Sequence, residues 1–185
     1  MKKAKIIALS LAAAENPTSV VMLESAVYAI FERLIMKDPD GAKYAKALQE
    51  IGTENQAKRR VLIDRLIDRS AVKALDLDGD GQCELIIYFN GMAASLEGRT
   101  VYILRRQASD WACIGSFPAK SFPQVSHQER NNVAEGYAAL ESLGDTDHGH
   151  VVTSRYLFRQ GRYVRVDGLR PLPRAGKGYP ASAHL

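Results

Sequence analysis

The sequence predicts an α+β fold, with N-terminal helices packed against a curved antiparallel β-meander. Up to about residue 69, apolar residues recur at helical spacings of three and four. From residue 70 the period changes to that of strands, and the apolar runs are joined by turns too short for parallel crossovers. With 185 residues, 46% of them hydrophobic, the chain is long enough for one core. A single domain is expected over 15–169, helical over 16–69 and β over 70–169.

The first helix is expected from near Pro17, with Val20, Leu23, Val27, Ile30, Phe31 and Leu34 forming its inner stripe and Pro39 stopping it. A second should run from about Asp40 to Ile51, turning Tyr44, Leu48 and Ile51 inward and ending at Gly52. Thr53 is the expected cap of a third. That helix would carry Ala57, Val61, Leu62 and Leu66 on one face and a solvated basic triplet, Lys58, Arg59 and Arg60, on the other.

Strands are predicted over 71–77, 83–90, 99–106, 110–117, 150–159 and 161–167. Turn chemistry separates them at residues 79–81, Asn90-Gly91, Ser109-Asp110 and Gln160-Gly161. The last pair, SRYLFRQGRYVRV, reads as a hairpin whose packing residues are Tyr156, Phe158, Tyr163 and Val166.

Residues 1–14 follow the grammar of a secretory signal peptide. Lys2, Lys3 and Lys5 precede the apolar run from Ile6 to Ala14, which is too short to span a bilayer, and small residues stand at a cleavage position before Glu15. A periplasmic or secreted protein is therefore expected, with no membrane span once the leader is removed. Losing the three leader lysines lowers the formal charge from +4 to +1. Residues 170–185 read as a flexible tail that is basic and rich in Pro, Gly and Ala, so the body over 15–169 holds 19 basic and 21 acidic residues. Such a body is a poor match for nucleic acid.

Between AVKAL and LIIYF stand nine residues, DLDGDGQCE, in which Asp76, Asp78, Asp80 and Glu84 repel one another unless a cation gathers their oxygens. Asp76, Asp78 and Asp80 would supply the first, third and fifth ligands, the Gln82 carbonyl the seventh, and Glu84 would close the shell, with Gly81 permitting the turn. An EF-hand would need a glutamate at the twelfth position, where this chain has Ile87 in a predicted strand. The pattern D-x-D-x-D-G-x-x-E leading into a strand resembles instead the FG-GAP or VCBS type of calcium loop, found in integrin-like propellers and in small exported bacterial proteins. That resemblance covers about residues 72 to 90 and implies one Ca²⁺. Propellers repeat their motif blade after blade, and no second copy is visible in this sequence. The order of acidic loop, aromatic strand, Gly136-Tyr137 and terminal hairpin is also similar to that of small exported bacterial proteins of unknown function, a likeness that brings no activity with it.

A second cluster, Asp145, Asp147, His148 and His150, with His127 upstream, has ligand types suited to a transition metal, but its surroundings are also those of an ordinary turn. Cys83 and Cys113 either form one disulfide in an oxidising compartment or are two small buried hydrophobes. No nucleophile elbow, phosphate loop or H-E-x-x-H is present. The leading expectation is an exported, non-enzymatic protein with one structural Ca²⁺ that acts by binding another protein, for example as an inhibitor or immunity factor. The alternatives are a metal-dependent hydrolase using the Asp145/Asp147/His148/His150 cluster, and a cytoplasmic interaction protein that keeps residues 1–14 as a helix.

Overall fold

The computed structural model describes residues 3, 7, 18–37, 42–89, 99–108, 110–126, 136–145, 151–166 and 170–171. The expected α+β class is found: within 18–171, the described residues form three helices followed by two antiparallel sheets. Helices α1 (Thr18–Lys37), α2 (Ala42–Ile51) and α3 (Gln56–Arg69) are followed by β1 (Ala71–Leu75), β2 (Glu84–Tyr88), β3 (Arg99–Gln107) and β4 (Asp110–Ala119), which form the first sheet in sequence order. The second sheet has β5 (Gln124–Val125), β6 (Leu140–Asp145), β7 (Val151–Arg159) and β8 (Arg162–Arg165), with β9 (Arg170–Pro171) pairing β7. The expected meander is thus divided between two sheets. β9 also shows that the first two residues of the expected tail are a short strand; the rest of 170–185 lies outside the described residues.

The helices meet as their apolar stripes dictate. Val27, Ile30, Phe31 and Leu34 of α1, Tyr44 and Leu48 of α2, and Ile63, Leu66 and Ile67 of α3 form one core. Two expectations for α3 are corrected. Its N-cap is Asn55, whose side chain accepts from the Lys58 N–H, and not Thr53. Its inner stripe is shifted, leaving Ala57 and Val61 exposed, because Ile63, Leu66 and Ile67 lie at the spacing that meets α1 and α2. The basic triplet is not uniformly solvated either. Arg59 turns inward, pairing with Glu32 and donating to the carbonyls of Leu48 (2.9 Å) and Gly52 (3.1 Å), so it ties the end of α2 to α1.

Every residue of β2 is buried. Leu85, Ile87 and the following Phe89 face the helices, joined there by Leu104 and Trp111, while Ile86 and Tyr88 face the second sheet. A second core fills the space between the sheets, with Val101, Ile103, Ile114 and Phe117 on one side and Leu140, Tyr156, Phe158 and Tyr163 on the other. A bulge shifts the β3–β4 register between Ile103 and Leu104, which lets both Ile114 and Gly115 face the second sheet. Phe117 stacks on Tyr156 with centroids 3.7 Å apart, and the Lys120 N–H donates to Leu143 C=O at 2.7 Å where β4 leaves the first sheet.

Among the leader residues, Ile7 is buried in the helical core and Lys3 donates to the carbonyls of Asp68 and Ser70; the rest of 1–14 lies outside the described residues. No described helix is long and apolar enough to cross a membrane. Cys83 and Cys113 are both free thiols. The register explains this: Leu85 pairs with Leu104 and Leu104 with Cys113, so β3 lies between the two cysteines. Two strand spacings amount to about 9–10 Å, beyond the ~7 Å that a disulfide bridges.

Gly115 packs closely against the second sheet: an added Cβ would lie 2.9 Å from Tyr163 Cβ and, within its own sheet, 3.0 Å from Ile103 Cδ1. Gly115→Ala should therefore destabilise the protein by about 1–3 kcal/mol through overpacking. Urea unfolding at constant m-value measures it, and an unchanged midpoint would show that the sheets separate there at no cost.

Candidate metal centre

The loop between β1 and β2 is folded by its own carboxylates. Asp76 accepts from the N–H groups of Gly79 (2.7 Å) and Gly81 (3.1 Å), Asp78 from Asp80 N–H (3.1 Å), and Asp80 from Gln82 N–H (2.7 Å). Gly79 and Gly81 both have positive φ, 78° and 84°, which is the left-handed conformation that glycine adopts without a steric cost. At the head of β2, Glu84 is 1% exposed and accepts the Leu77 N–H at 2.9 Å. The side chain that closes the loop is thereby fixed by the strand whose packing is most complete.

Asp76, Asp78 and Glu84 are brought together, with ligand oxygens all within 4.8 Å of one another; this is the one group of three potential metal-ligating side chains among the described residues. Asp80 stays outside that group. Its Oδ2 pairs with Arg105 at 3.3 Å, and the same guanidinium reaches Asp78 Oδ2 at 3.2 Å. Gln82 is exposed, with its N–H held by Asp80. Arg105 was invisible as a loop partner in the sequence, because only the pairing of β2 with β3 brings it alongside.

The electrostatics follow from burial. Glu84 has its pKa pushed up to about 7, first by loss of solvent and then by the charges of Asp78 and Asp80, against the opposing pull of the Leu77 N–H and Arg105. The Cys83 thiol is raised by burial and by Asp76, Glu84 and Asp80, so it stays protonated and is a poor nucleophile. Of the second expected cluster, Asp147, His148 and His150, together with His127, lie outside the described residues, as does the side chain of Asp145.

The donor set is all oxygen, which suits a hard cation such as Mg²⁺, Ca²⁺ or Mn²⁺. Two oxygens bound to one Ca²⁺ at about 2.4 Å can be no more than about 4.8 Å apart, and Asp76, Asp78 and Glu84 meet that limit. Fold and site together define an α+β protein with an acidic, cation-compatible loop at the head of a strand buried on both faces. Comparison with family models, with curated proteins and with solved structures finds no match.

Glu84 also makes the metal-free protein sensitive to pH. Its pKa rises on folding from 4.5 to about 7, so over that window the folded state holds a proton that the unfolded state has released, and stability falls as pH rises. Glu84→Gln removes the effect while keeping an acceptor for Leu77 N–H. In EDTA the variant should match wild type near the lower end of the window and exceed it above the upper end, by at most about 3 kcal/mol. Urea midpoints taken across the window test this, and a difference that does not vary with pH would assign the titration elsewhere.

Proposed function

We propose that residues 76–84 hold one Ca²⁺ as a structural ion, in an exported protein that acts by binding another protein and not by catalysis. The convergence of Asp76, Asp78 and Glu84 within the span of one ion's shell carries the metal part of this reading. Asp80 and the Gln82 carbonyl are the further donors, once Arg105 yields Asp80. A bound cation would offset the mutual repulsion of the carboxylates and the burial of Glu84, and so would stiffen the β1–β2 connection.

A ligand that binds only the folded state adds stability as its concentration exceeds Kd. Millimolar CaCl₂ should therefore raise the melting temperature and EDTA lower it, and Asp78→Ala should remove the difference. A melt that ignores both additions, with no heat of binding, would leave residues 76–84 as an acidic turn.

The export part rests on the basic, apolar and small-residue sequence of 1–14. A second reading is favoured by one observation: Ile7 is buried with the helices and Lys3 is bonded to the α3–β1 junction. In that reading the leader is kept and the protein works where it is made. Intact-mass measurement on fractionated cells separates the two. The exported form should begin at or near Glu15, lack stoichiometric zinc or manganese, and retain a specific protein partner in pull-downs from the same fraction. Full-length protein confined to the cytosol would favour the second reading, and metal-dependent hydrolysis lost on replacing His148 and His150 would replace both with an enzyme.

A further inference from the structure

Residues 151–166, which build the β7–β8 hairpin, hold four arginines and no Asp, Glu or Lys. The two strands are joined by Gln160 and Gly161, whose φ angles of 52° and 79° are what a type I′ turn requires, and that tight turn fixes the register. Tyr156, Phe158 and Tyr163 fill the core between the sheets, so the alternate residues occupy the opposite face. On that face Arg159 lies directly opposite Arg162, and Leu157 directly opposite Val164. The arginine pair and the apolar pair are thus neighbours about 7 Å apart along the strands.

Neither pair is used by the fold. Leu157 and Val164 are half-buried but belong to neither core, and the helices pack on the first sheet. Arg159 and Arg162 are exposed, and among the described residues no carboxylate is paired with them. The nearest described acid on this sheet face, Glu141, lies opposite Arg155, which is about 13 Å along β7 from Arg159. That exceeds the Debye length of about 8 Å at physiological salt, so Glu141 does little to neutralise the pair. Like charges set directly opposite each other across two strands cost stability.

An acidic surface is what complements this face. Each guanidinium can take a carboxylate through two parallel hydrogen bonds, and its weak hydration suits it to an interface better than a lysine ammonium. The chain beyond β9 does not supply the missing charge, since residues 172–185 carry Arg174 and Lys177 and no acid. A second copy stacked on the same face would set arginine against arginine. A phosphate backbone has no apolar side chain to seat on Leu157 and Val164, which favours a protein over a nucleic acid.

Resting on the reading that this protein works by binding another, we propose that the outer face of the β7–β8 hairpin is its contact surface: the partner presents acidic residues to Arg159 and Arg162 and, next to them, an apolar side chain to Leu157 and Val164. Arginine anchors beside an apolar patch are the arrangement in which a few side chains carry most of an interface's affinity.

The test is fluorescence anisotropy on the full chain with a labelled peptide of four glutamates around a central leucine. A double-stranded DNA oligonucleotide and phosphatidylserine vesicles serve as alternative polyanions. Wild type should bind the peptide, more weakly as salt is raised. Arg159→Glu with Arg162→Glu should weaken binding about tenfold or more, and Leu157→Ser should weaken it at high salt as well as low. The charge-matched control Lys46→Glu with Lys58→Glu, at two exposed helical positions, should bind as wild type does. Absence of peptide binding in wild type, an affinity that the arginine pair does not change, an equal loss in the helical control, or tighter binding of DNA or vesicles than of peptide each overturns the proposal. Arg159→Gln keeps the test independent of misfolding: it should weaken the peptide while its melting temperature equals or exceeds that of wild type, because one of two opposed cations is gone. A lower melting temperature would make that arginine structural and overturn its role. Capture from fractionated cells separates this surface from the reading beneath it. A protein retained equally by wild type and by the double arginine variant overturns the surface and leaves protein binding in place, whereas retention by neither overturns both.

Discussion

The molecule is organised around β2, a five-residue strand with no solvent face. Leu85, Ile87 and Phe89 bind the helices, and Ile86 and Tyr88 bind the second sheet, so this strand, like β3 and β4 beside it, contributes to both cores. A strand that is apolar on both faces lacks the alternation that normally fixes register. Here the polar end supplies it: Glu84, held by the Leu77 N–H, cannot slide into either core without losing that bond and burying an unpaired carboxylate. Register and acidic loop thus depend on the same side chain.

That arrangement concentrates charge. At a separation of about 4.8 Å, two carboxylates repel by about 3 kcal/mol in a medium of effective dielectric constant about 20. Arg105 offsets part of this from β3, contacting Asp78 and Asp80, but no described guanidinium or ammonium is paired with Asp76 or Glu84. The backbone N–H groups of Leu77, Gly79 and Gly81 point at those oxygens instead. The loop is therefore shaped before any ion arrives, at the cost of holding Glu84 partly protonated at neutral pH.

What the sequence made legible was whatever depends on neighbours along the chain. The helices and the principal strands follow from periodicities within a few residues, and Asp76, Asp78 and Glu84 converge because a short turn brings their fixed spacing round. What escaped depends on pairing across the fold. LESLGD has no strong strand pattern and becomes β6 because β5 and β7 flank it. Arg59 turns inward because α1 presents Glu32 and α2 presents its terminal carbonyls. Arg105 and Tyr137 are 21 or more residues from the loop, and only sheet pairing and sheet stacking place them beside it. The separation of Cys83 from Cys113 likewise became visible only through the β2–β3–β4 register.

A strand shared by two cores has a thermodynamic consequence. If an ion at Glu84 favours one seating of the helices on Leu85, Ile87 and Phe89, then by reciprocity a partner that favours the same seating raises the affinity for the ion by the factor by which the ion raises the partner's. A partner that pries α1 away from the sheet would lower that affinity, and one that clamps it would raise it. The acidic loop would then serve as a gauge of events on the opposite side of the molecule, which it never touches.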